Sequence, residues 1–277
     1  MLLLIDAGNT RIKWALAGPA PVAADLGRWT ASGAVLHDGI ERLAHDWGTS
    51  PVTMVLIANV AGASVQAALV RQLEILQQER IAIDPEENAA PVIHWFASTA
   101  QVAGVHNRYR MAERLGCDRL AALIGARALL PDQALIVAVC GTATTIDALT
   151  ASGDFIGGMI LPGPALMAAS LARHTAQLPA VAAITAVTGQ IAVATGMRLF
   201  ADNTEDAITS GCLAAQAGAI ERAVAEHDGA HCLLSGGAAH LVAPRLRAAA
   251  TLVDNLVLIG LQVVAGSARQ PARTEQR

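Results

Sequence analysis

Three short stretches of this sequence carry side chains that could handle phosphate. The first is Asp6-Ala7-Gly8-Asn9-Thr10-Arg11-Ile12-Lys13. A buried strand would end there in a carboxylate, turn at a glycine, and continue through amide, hydroxyl and ammonium groups. Glycine lets a backbone approach a phosphate closely, and Asn9, Thr10 and free N–H groups can donate to its oxygens. Asp6 could hold a magnesium ion through water. Of the 19 lysine and arginine residues only Lys13 is a lysine, which suits a place where a compact ammonium is needed. Taken alone, Asp-x-Gly-Asn-Thr would pass for an ordinary hairpin turn.

The second stretch, Gly141-Thr142-Ala143-Thr144-Thr145-Ile146-Asp147, repeats the strand–glycine–hydroxyl design. Thr144 and Thr145 by themselves need mean no more than β-propensity. Two such loops, each opening one half of the chain, could grip a β- and a γ-phosphate from both sides. The third stretch runs from Asn107-Arg108-Tyr109-Arg110 to Leu115-Gly116-Cys117-Asp118-Arg119. Four arginines (Arg108, Arg110, Arg114 and Arg119) within a dozen residues suit an anionic substrate, and the only tyrosine lies among them. Asp118 falls at the start of a predicted helix, where a plain helix cap is the simpler reading. No G-x-x-x-x-G-K-[ST] loop occurs and no G-x-G-x-x-G follows a strand. A nucleotide would therefore bind through the two-hairpin clamp, the signature of the actin/hexokinase/heat-shock-70 ATPase (ribonuclease H-like) fold. Gly236-Gly237, after an apolar run, suits that fold's adenosine-contacting turn.

The elements that would position these residues follow from hydrophobic periodicity. Strands are predicted at Leu2–Asp6, Arg11–Leu16, Val22–Trp29, Val52–Ala58 and Val92–Phe96, with helices over Val35–Trp47, Ser64–Gln78 and Arg119–Leu130. After Pro131-Asp132 the pattern restarts with strands Ala134–Cys140, Thr144–Leu149 and Phe155–Leu161. Helices Ala165–Arg173, Glu205–Glu226 and Leu256–Ser267 follow, with a strand at Cys232–Leu234. An offset of 133 lays Ala7-Gly8 on Cys140-Gly141 and Ala15-Leu16 on Ala148-Leu149, which suggests a duplicated α/β domain. The expected organisation is an N-terminal ATPase-like domain over 1–130, a C-terminal one over 131–267, and a disordered tail over 268–277.

Bulk composition narrows the function classes. Hydrophobic residues make up 53% of the 277 and charged residues 15%, so a membrane reading has to be tested. Met1–Ile5 meets Asp6 too soon for a signal peptide. The uncharged run Thr175–Met197 is interrupted by Gln177, Pro179, Gly189 and Gln190, and neither it nor Phe155–Ala172 reads as a membrane helix. Net charge is −4 with no basic run, which argues against a nucleic-acid partner. Cys117, Cys140, Cys212 and Cys232 are widely spaced and read as reduced thiols of a cytoplasmic protein. His227 and His231 flank the turn signal Asp228-Gly229 and read as loop residues rather than a zinc pair.

With these stretches in order, the sequence resembles the type III pantothenate kinases, also described as the Bvg accessory factor family. The match rests on Asp6–Lys13, Asn107–Arg119, Gly141–Asp147, Gly157–Gly163, Asn203–Ile208 with Gly211, and Ser235-Gly236-Gly237. The resemblance implies ATP-dependent phosphorylation of pantothenate. It implies that Asp6, Ala7, Gly8, Asn9, Thr10, Arg11, Ile12 and Lys13 line the ATP phosphates and that Thr142 touches ATP. Tyr109, Gly116, Cys117, Asp118, Arg119 and Thr204 would contact pantothenate, with Arg119 on its carboxylate. Asp118 would accept the proton of the attacking hydroxyl. Magnesium, a monovalent cation such as potassium or ammonium, and a homodimer that completes the substrate pocket are also implied. The sequence departs from the family at Val139, where an aspartate usually binds the monovalent cation. Valine cannot ligate a cation, so no cation ligand is assigned there. Ala112 stands where proline is common. Other readings are a kinase of the same fold acting on another small alcohol or acid, a non-catalytic ATP-binding regulator, and an actin-like filament protein.

Overall fold

The structure is a computed structural model that describes residues 1–18, 23–48, 50–83, 89–181 and 198–267. The predicted tail 268–277 and the remainder of the uncharged run, 182–197, lie outside the described residues. The chain forms two compact units, Met1–Pro131 with the chain from Leu256 onward, and Asp132–Asn255.

The first unit is built on an apolar hairpin. Strand β1 (Leu2–Ala7) pairs antiparallel with β2 (Arg11–Ala17), placing Asp6 opposite Lys13 and Ala7 opposite Ile12. Strand β3 (Ala31–Leu36) lies antiparallel to β2, β4 (Met54–Asn59) lies parallel to β1, and β5 (Val92–Phe96) lies parallel to β4. The order is β3-β2-β1-β4-β5. Leu2 to Ile5 are fully buried, as expected of a central strand covered on both faces. Helices α1 (Leu43–Trp47) and α2 (Ala63–Ile83) cover one core cluster, in which Ile5, Trp14, Trp47, Ile57 and Leu69 meet. A short hairpin of β6 (Gln101–Val102) and β7 (Val105–Asn107) precedes α3 (Cys117–Leu129).

Two predicted elements are corrected here. The strand expected over Val22–Trp29 is instead a 3-10 turn at Ala23–Asp25 followed by irregular chain, with Val22 outside the described residues. The helix expected from Val35 starts too early. Val35 and Leu36 end β3, a 3-10 segment spans His37–Arg42, and only Leu43–Trp47 is α-helical. The misreading has a packing cause. Gly33 sits directly opposite Trp14, and a Cβ there would lie 2.9 Å from the indole ring. A strand that hides its glycine under a neighbour's aromatic ring shows little β pattern of its own.

The second unit repeats the plan. Strands β8 (Leu135–Cys140), β9 (Ala143–Leu149) and β10 (Asp154–Pro162) run antiparallel to one another in turn. Strand β11 (His231–Ser235) lies parallel to β8, and β12 (Ala250–Leu252) lies parallel to β11. Helices α4 (Pro164–His174), α5 (Thr204–Glu226) and α6 (Ala239–Val242) belong to this unit. Its order β10-β9-β8-β11-β12 matches that of the first unit strand for strand and direction for direction. His231 lies on β11 rather than in a loop, and its Nε2 meets Thr251 Oγ1 while that of His227 meets the Leu149 carbonyl.

The register refines the duplication. Ala7↔Ile12 leaves residues 8–11 in the first turn, whereas Cys140↔Thr144 leaves 141–143 in the second. The second turn is one residue shorter, so the offset of 133 holds on the leading strands and falls to 132 on the return strands. Ala15 and Leu16 therefore correspond to Asp147 and Ala148, not to Ala148 and Leu149 as the sequence suggests. The pair Asp6↔Lys13 corresponds to Val139↔Thr145.

Helix α7 (Leu256–Ser267) belongs to the first unit, although the sequence places it at the end of the second half. It packs against α3 and strand β1. Close approach requires glycine at two points. A Cβ on Gly125 would lie 2.6 Å from the Leu256 carbonyl oxygen, and one on Gly260 would drive into the Ala121 carbonyl. The return of α7 thus rests on backbone against backbone, which apolar periodicity does not reveal. Gly260→Ala is expected to lower unfolding stability by about 3 kcal/mol, because neither helix backbone can retreat without opening the core. Urea denaturation at fixed pH measures it, and a loss below about 0.5 kcal/mol, typical of surface changes, would show the two helices free to separate.

Candidate active site

The first unit gathers two carboxylates, one ammonium and one guanidinium around the ends of β1 and α3. Asp6 is the penultimate residue of β1, and strand register sets Lys13 beside it on the same face. Helix α3 begins at Cys117, and its half-buried thiol sits 3.7 Å from the Asn59 carbonyl, donating S–H to it. Asn59 ends β4, the parallel neighbour of β1, so this contact brings the start of α3 against the strand ends. Asn59 also caps its own turn, with Oδ1 accepting from Ala61 N at 2.9 Å and Nδ2 donating to the Gly62 carbonyl at 3.1 Å.

Burial decides the electrostatics. It lifts the Asp6 pKa to about 7; Lys13 opposes the shift, and Asp118 adds to it. The Asp118 carboxyl is also raised, by burial first, against the Arg119 N–H and guanidinium that favour its charge. Its Oδ1 accepts the Arg119 N–H at 2.8 Å. The Cys117 thiol is pushed up by burial and then by Asp118, so it stays neutral at pH 7. Each of the two carboxylates raises the free energy of charging a neighbour, and a cation between them would relieve both.

The glycine before α3 has a steric role: a Cβ on Gly116 would stand 2.7 Å from Asp118 Oδ1. Arg119 is 6% exposed, and its Nη1 donates to the Tyr109 hydroxyl at 3.0 Å, with the guanidinium 5.6 Å from the ring centre. The loop that carries Tyr109 is organised by buried Asn107. Its Oδ1 accepts from Tyr109 N at 3.1 Å, and its Nδ2 donates to the Thr99 and Ala112 carbonyls at 3.2 and 2.9 Å.

The turn after β1 is held at both ends of Gly8. Its N–H donates to the Arg11 carbonyl at 3.1 Å, and its own carbonyl lies 2.9 Å from His37 Nε2. Asn9 and Thr10 are exposed, Gly8, Arg11 and Lys13 partly so. Ala7 and Ile12 are core residues, so of the eight predicted phosphate-lining positions these two could offer a ligand only backbone.

In the second unit Thr142 is exposed at the tip of the shorter turn. That turn is clamped from two sides: Gly163 N donates to the Thr142 carbonyl at 2.8 Å, and Ala238 N donates to the Cys140 carbonyl at 3.0 Å. Gly236 has φ +94°, and a Cβ there would run into the Cys140 backbone. Thr204 is the first residue of α5, after Asn203 whose side chain caps the helix by accepting from Asp206 N at 2.9 Å. Thr204 lines an apolar groove of about 790 Å³ with Pro162, Leu166, Met167, Ile208 and Cys212. Val139 and Thr145 face each other where Asp6 and Lys13 stand in the first unit, and Thr145 Oγ1 is buried without a hydrogen-bond partner.

Asp6, Lys13, Tyr109, Gly116, Cys117, Asp118 and Arg119 thus come together in one unit, and Thr142 and Thr204 belong to the other. Sequence reasoning assigned no role to Asn59, Asn107 or His37. A polar residue ending the apolar run Val55–Ala58, as Asp6 ends Leu2–Ile5, was the available signal for Asn59. His37 carried none, because it approaches Gly8 only through a strand that the pattern did not show.

One consequence concerns pH and stability. The folded-state pKa of Asp6 lies above the value of about 3.9 for an unfolded chain, so folding takes up a proton between these values. Stability from this group is greatest below pH 4, declines as pH rises, and is fully lost above pH 7, an upper limit of roughly 4 kcal/mol. Asp6→Asn is expected to melt close to wild type at pH 4 and clearly higher at pH 8, while losing activity. Thermal midpoints that differ equally at both pH values would mean that Asp6 carries no such penalty.

Comparison with known proteins adds the following. A family profile described as "Type III pantothenate kinase" matches residues 2–226. A type III pantothenate kinase of Janthinobacterium sp. (strain Marseille) is 50% identical over 271 residues, covering 96% of this chain and 97% of that protein. One from Herminiimonas arsenicoxydans is 50% identical over the same coverage, and one from Aromatoleum aromaticum is 45% identical over 96% of this chain and 98% of its own. Among solved structures, a Baf family transcriptional activator from Campylobacter jejuni superposes with a TM-score of 0.56 at 16% identity, covering 96% of this chain and 98% of that one. A 2-dehydro-3-deoxygalactonokinase structure from Sinorhizobium meliloti gives 0.55 at 15%, covering 98% and 100%. These likenesses establish the fold, the actin/hexokinase-like α/β architecture with two mixed sheets.

Proposed function

The chain belongs to the type III pantothenate kinase family, and from that premise we propose how its own residues perform the reaction. It is an enzyme that phosphorylates pantothenate with ATP, the first step of coenzyme A biosynthesis. The observation that carries the residue assignment is the convergence of Asp6, Lys13, Asp118 and Arg119 at two adjoining element ends of one unit.

Asp118 is the catalytic base. The primary hydroxyl of pantothenate attacks the γ-phosphorus, an O–P bond forms as the bond to the ADP oxygen breaks, and the hydroxyl proton passes to the Asp118 carboxylate. Its raised pKa brings its basicity closer to the task, and the bare Cα of Gly116 leaves its oxygen room to face the substrate. Arg119, already oriented by Tyr109, binds the pantothenate carboxylate with its remaining N–H groups. Cys117 and Gly116 contribute the backbone of the helix start. Gly8, Asn9, Thr10, Arg11 and Lys13 contact the ATP phosphates, with Ala7 and Ile12 shaping the turn through the core. Thr142 touches ATP, and Thr204 belongs to the substrate pocket.

Magnesium fits the first unit: a carboxylate raised to a pKa of about 7 gains from a divalent cation, and Asp6 would hold it through water. Bound magnesium would neutralise charge on the transferring phosphoryl group. A monovalent cation does not fit the second turn. Val139 offers no oxygen, and the Thr145 hydroxyl offers one uncharged oxygen where such an ion needs several. We assign no monovalent-cation ligand in this turn, so dependence on potassium or ammonium is expected to be weak or to use other oxygens. A homodimer is favoured by exposed Ile156, Met159 and Ile160 on β10 and Leu166 and Leu171 on α4, an apolar surface that a free monomer would leave in water. No helix among the described residues is long and apolar enough to cross a membrane, and the buried free cysteines suit a cytoplasmic setting.

An ATP-dependent assay on pantothenate, run in potassium and in a bulky organic cation at equal ionic strength, tests the reading. Equal rates are expected in the two salts, and strong activation by potassium would show that other oxygens build a cation site. Asp118→Asn is expected to keep fold and ATP affinity while lowering kcat by about 10²–10⁴. Turnover near wild type would remove Asp118 from the catalytic role.

A further inference from the structure

We propose that His37 is a positioning residue for the phosphate turn: it fixes the Gly8 carbonyl and thereby aims the Asn9 N–H at the phosphate oxygens of ATP. The inference rests on reading Gly8–Lys13 as the nucleotide-binding turn. Strand register explains why this histidine is there. Arg11, at the end of the turn, pairs with Leu36, so the next residue leaves β3 beside Gly8. His37 Nε2 lies 2.9 Å from the Gly8 carbonyl oxygen. A carbonyl can only accept, so Nε2 carries the hydrogen.

The consequence follows from the planarity of the peptide. In a trans peptide the C=O of Gly8 and the N–H of Asn9 point in opposite directions across one rigid plane. No cis peptide occurs among the described residues. Holding the Gly8 oxygen toward His37 therefore holds the Asn9 N–H away from it. The neighbouring plane is fixed as well, because Gly8 N donates to the Arg11 carbonyl at 3.1 Å. Among the described turn and loop contacts the Asn9 N–H makes no backbone bond. Asn9 itself is exposed, as expected of a residue that offers its N–H to a ligand. A preorganised backbone donor is worth most where negative charge gathers, and a glycine turn without its anchor would have to order itself on binding.

The role is one of aim, not of chemistry, and the variants are chosen to separate the two. His37→Ala and His37→Phe remove the donor, the second with the ring volume kept. His37→Gln places an amide N–H at a similar reach. Calorimetric titration with magnesium and a non-hydrolysable ATP analogue reads the turn directly, and steady-state kinetics reads KM for each substrate. The expected result is a loss of nucleotide affinity of about 5- to 20-fold in the Ala and Phe variants, the worth of one anchoring hydrogen bond. Gln should restore most of it, and KM for pantothenate should stay unchanged. Wild-type affinity in the Phe variant, or equal affinities in Phe and Gln, would overturn the proposal even if the Ala variant fails to fold. Lys13→Met is the control on the underlying reading. If it lowers nucleotide affinity and the His37 variants do not, the positioning role fails alone. If none of them does, the turn is not the nucleotide site and both readings fall.

Discussion

A carboxylate held half-buried at the end of a central strand is the constraint on which the rest of this structure depends. Asp6 cannot leave its place, because β1 is the central strand of its sheet and its neighbours Ile5 and Ala7 are fully buried. Charging it there is unfavourable, as its pKa of about 7 records. Lys13 offsets part of that cost from the facing strand, and Asp118 adds to it. A divalent cation beside these two carboxylates would offset the cost of charging them. The fold places these charges at element ends, where backbone N–H groups and turns can be offered to a ligand but the core cannot relax around them.

The second unit shows what the same hairpin looks like without that facing acid–lysine pair. Val139 replaces the acid and Thr145 the base, at register-paired positions. The two changes belong together. A lysine at 145 facing a valine would be a half-buried cation without a partner, and an aspartate at 139 facing a threonine would be an unpaired anion. Losing both leaves a turn that can still present hydroxyl and backbone groups. Its rigidity comes from a different source, the glycines Gly163 and Gly236 pressed against its backbone. One turn is therefore tuned by charge and the other by close packing, on one shared topology.

Much of this was legible in the sequence because the leading strands are continuous apolar runs that stop at Asp6 and at Cys140-Gly141. Such runs survive any tertiary context, so the hairpins and the fold class could be read from them. What could not be read shares one physical origin, backbone proximity between residues distant along the chain. Strand β3 is weak in pattern because Gly33 lies under Trp14. The register of the two halves slips by one because a turn is shorter by one, which a short alignment cannot place. Helix α7 follows the second unit in sequence and packs with the first, since Gly125 and Gly260 let it lie against α3. The grouping of Asp118 with Asp6 was an expectation from resemblance, and the thiol contact of Cys117 with Asn59 is what supplies a physical reason for it.

The high apolar content then has an explanation that needs no membrane. Helix α7 is apolar around most of its circumference because it is enclosed, with α3 on one side and β1, β2 and β4 on the other. A helix buried on all sides has no polar face to display. Gln262 is its exception, and the exception is satisfied: its Oε1 accepts from Gly27 N at 3.0 Å and its Nε2 donates to the Asp25 carbonyl at 3.3 Å. That buried amide ties the irregular chain after β2 to the core. The same helix fixes α3 along its length, and the first turn of α3 carries Asp118. The apolar excess that first suggests a bilayer is thus the packing that holds Asp118 in place at the start of α3, against the end of β4. The small residues within it are what allow so many layers to meet there.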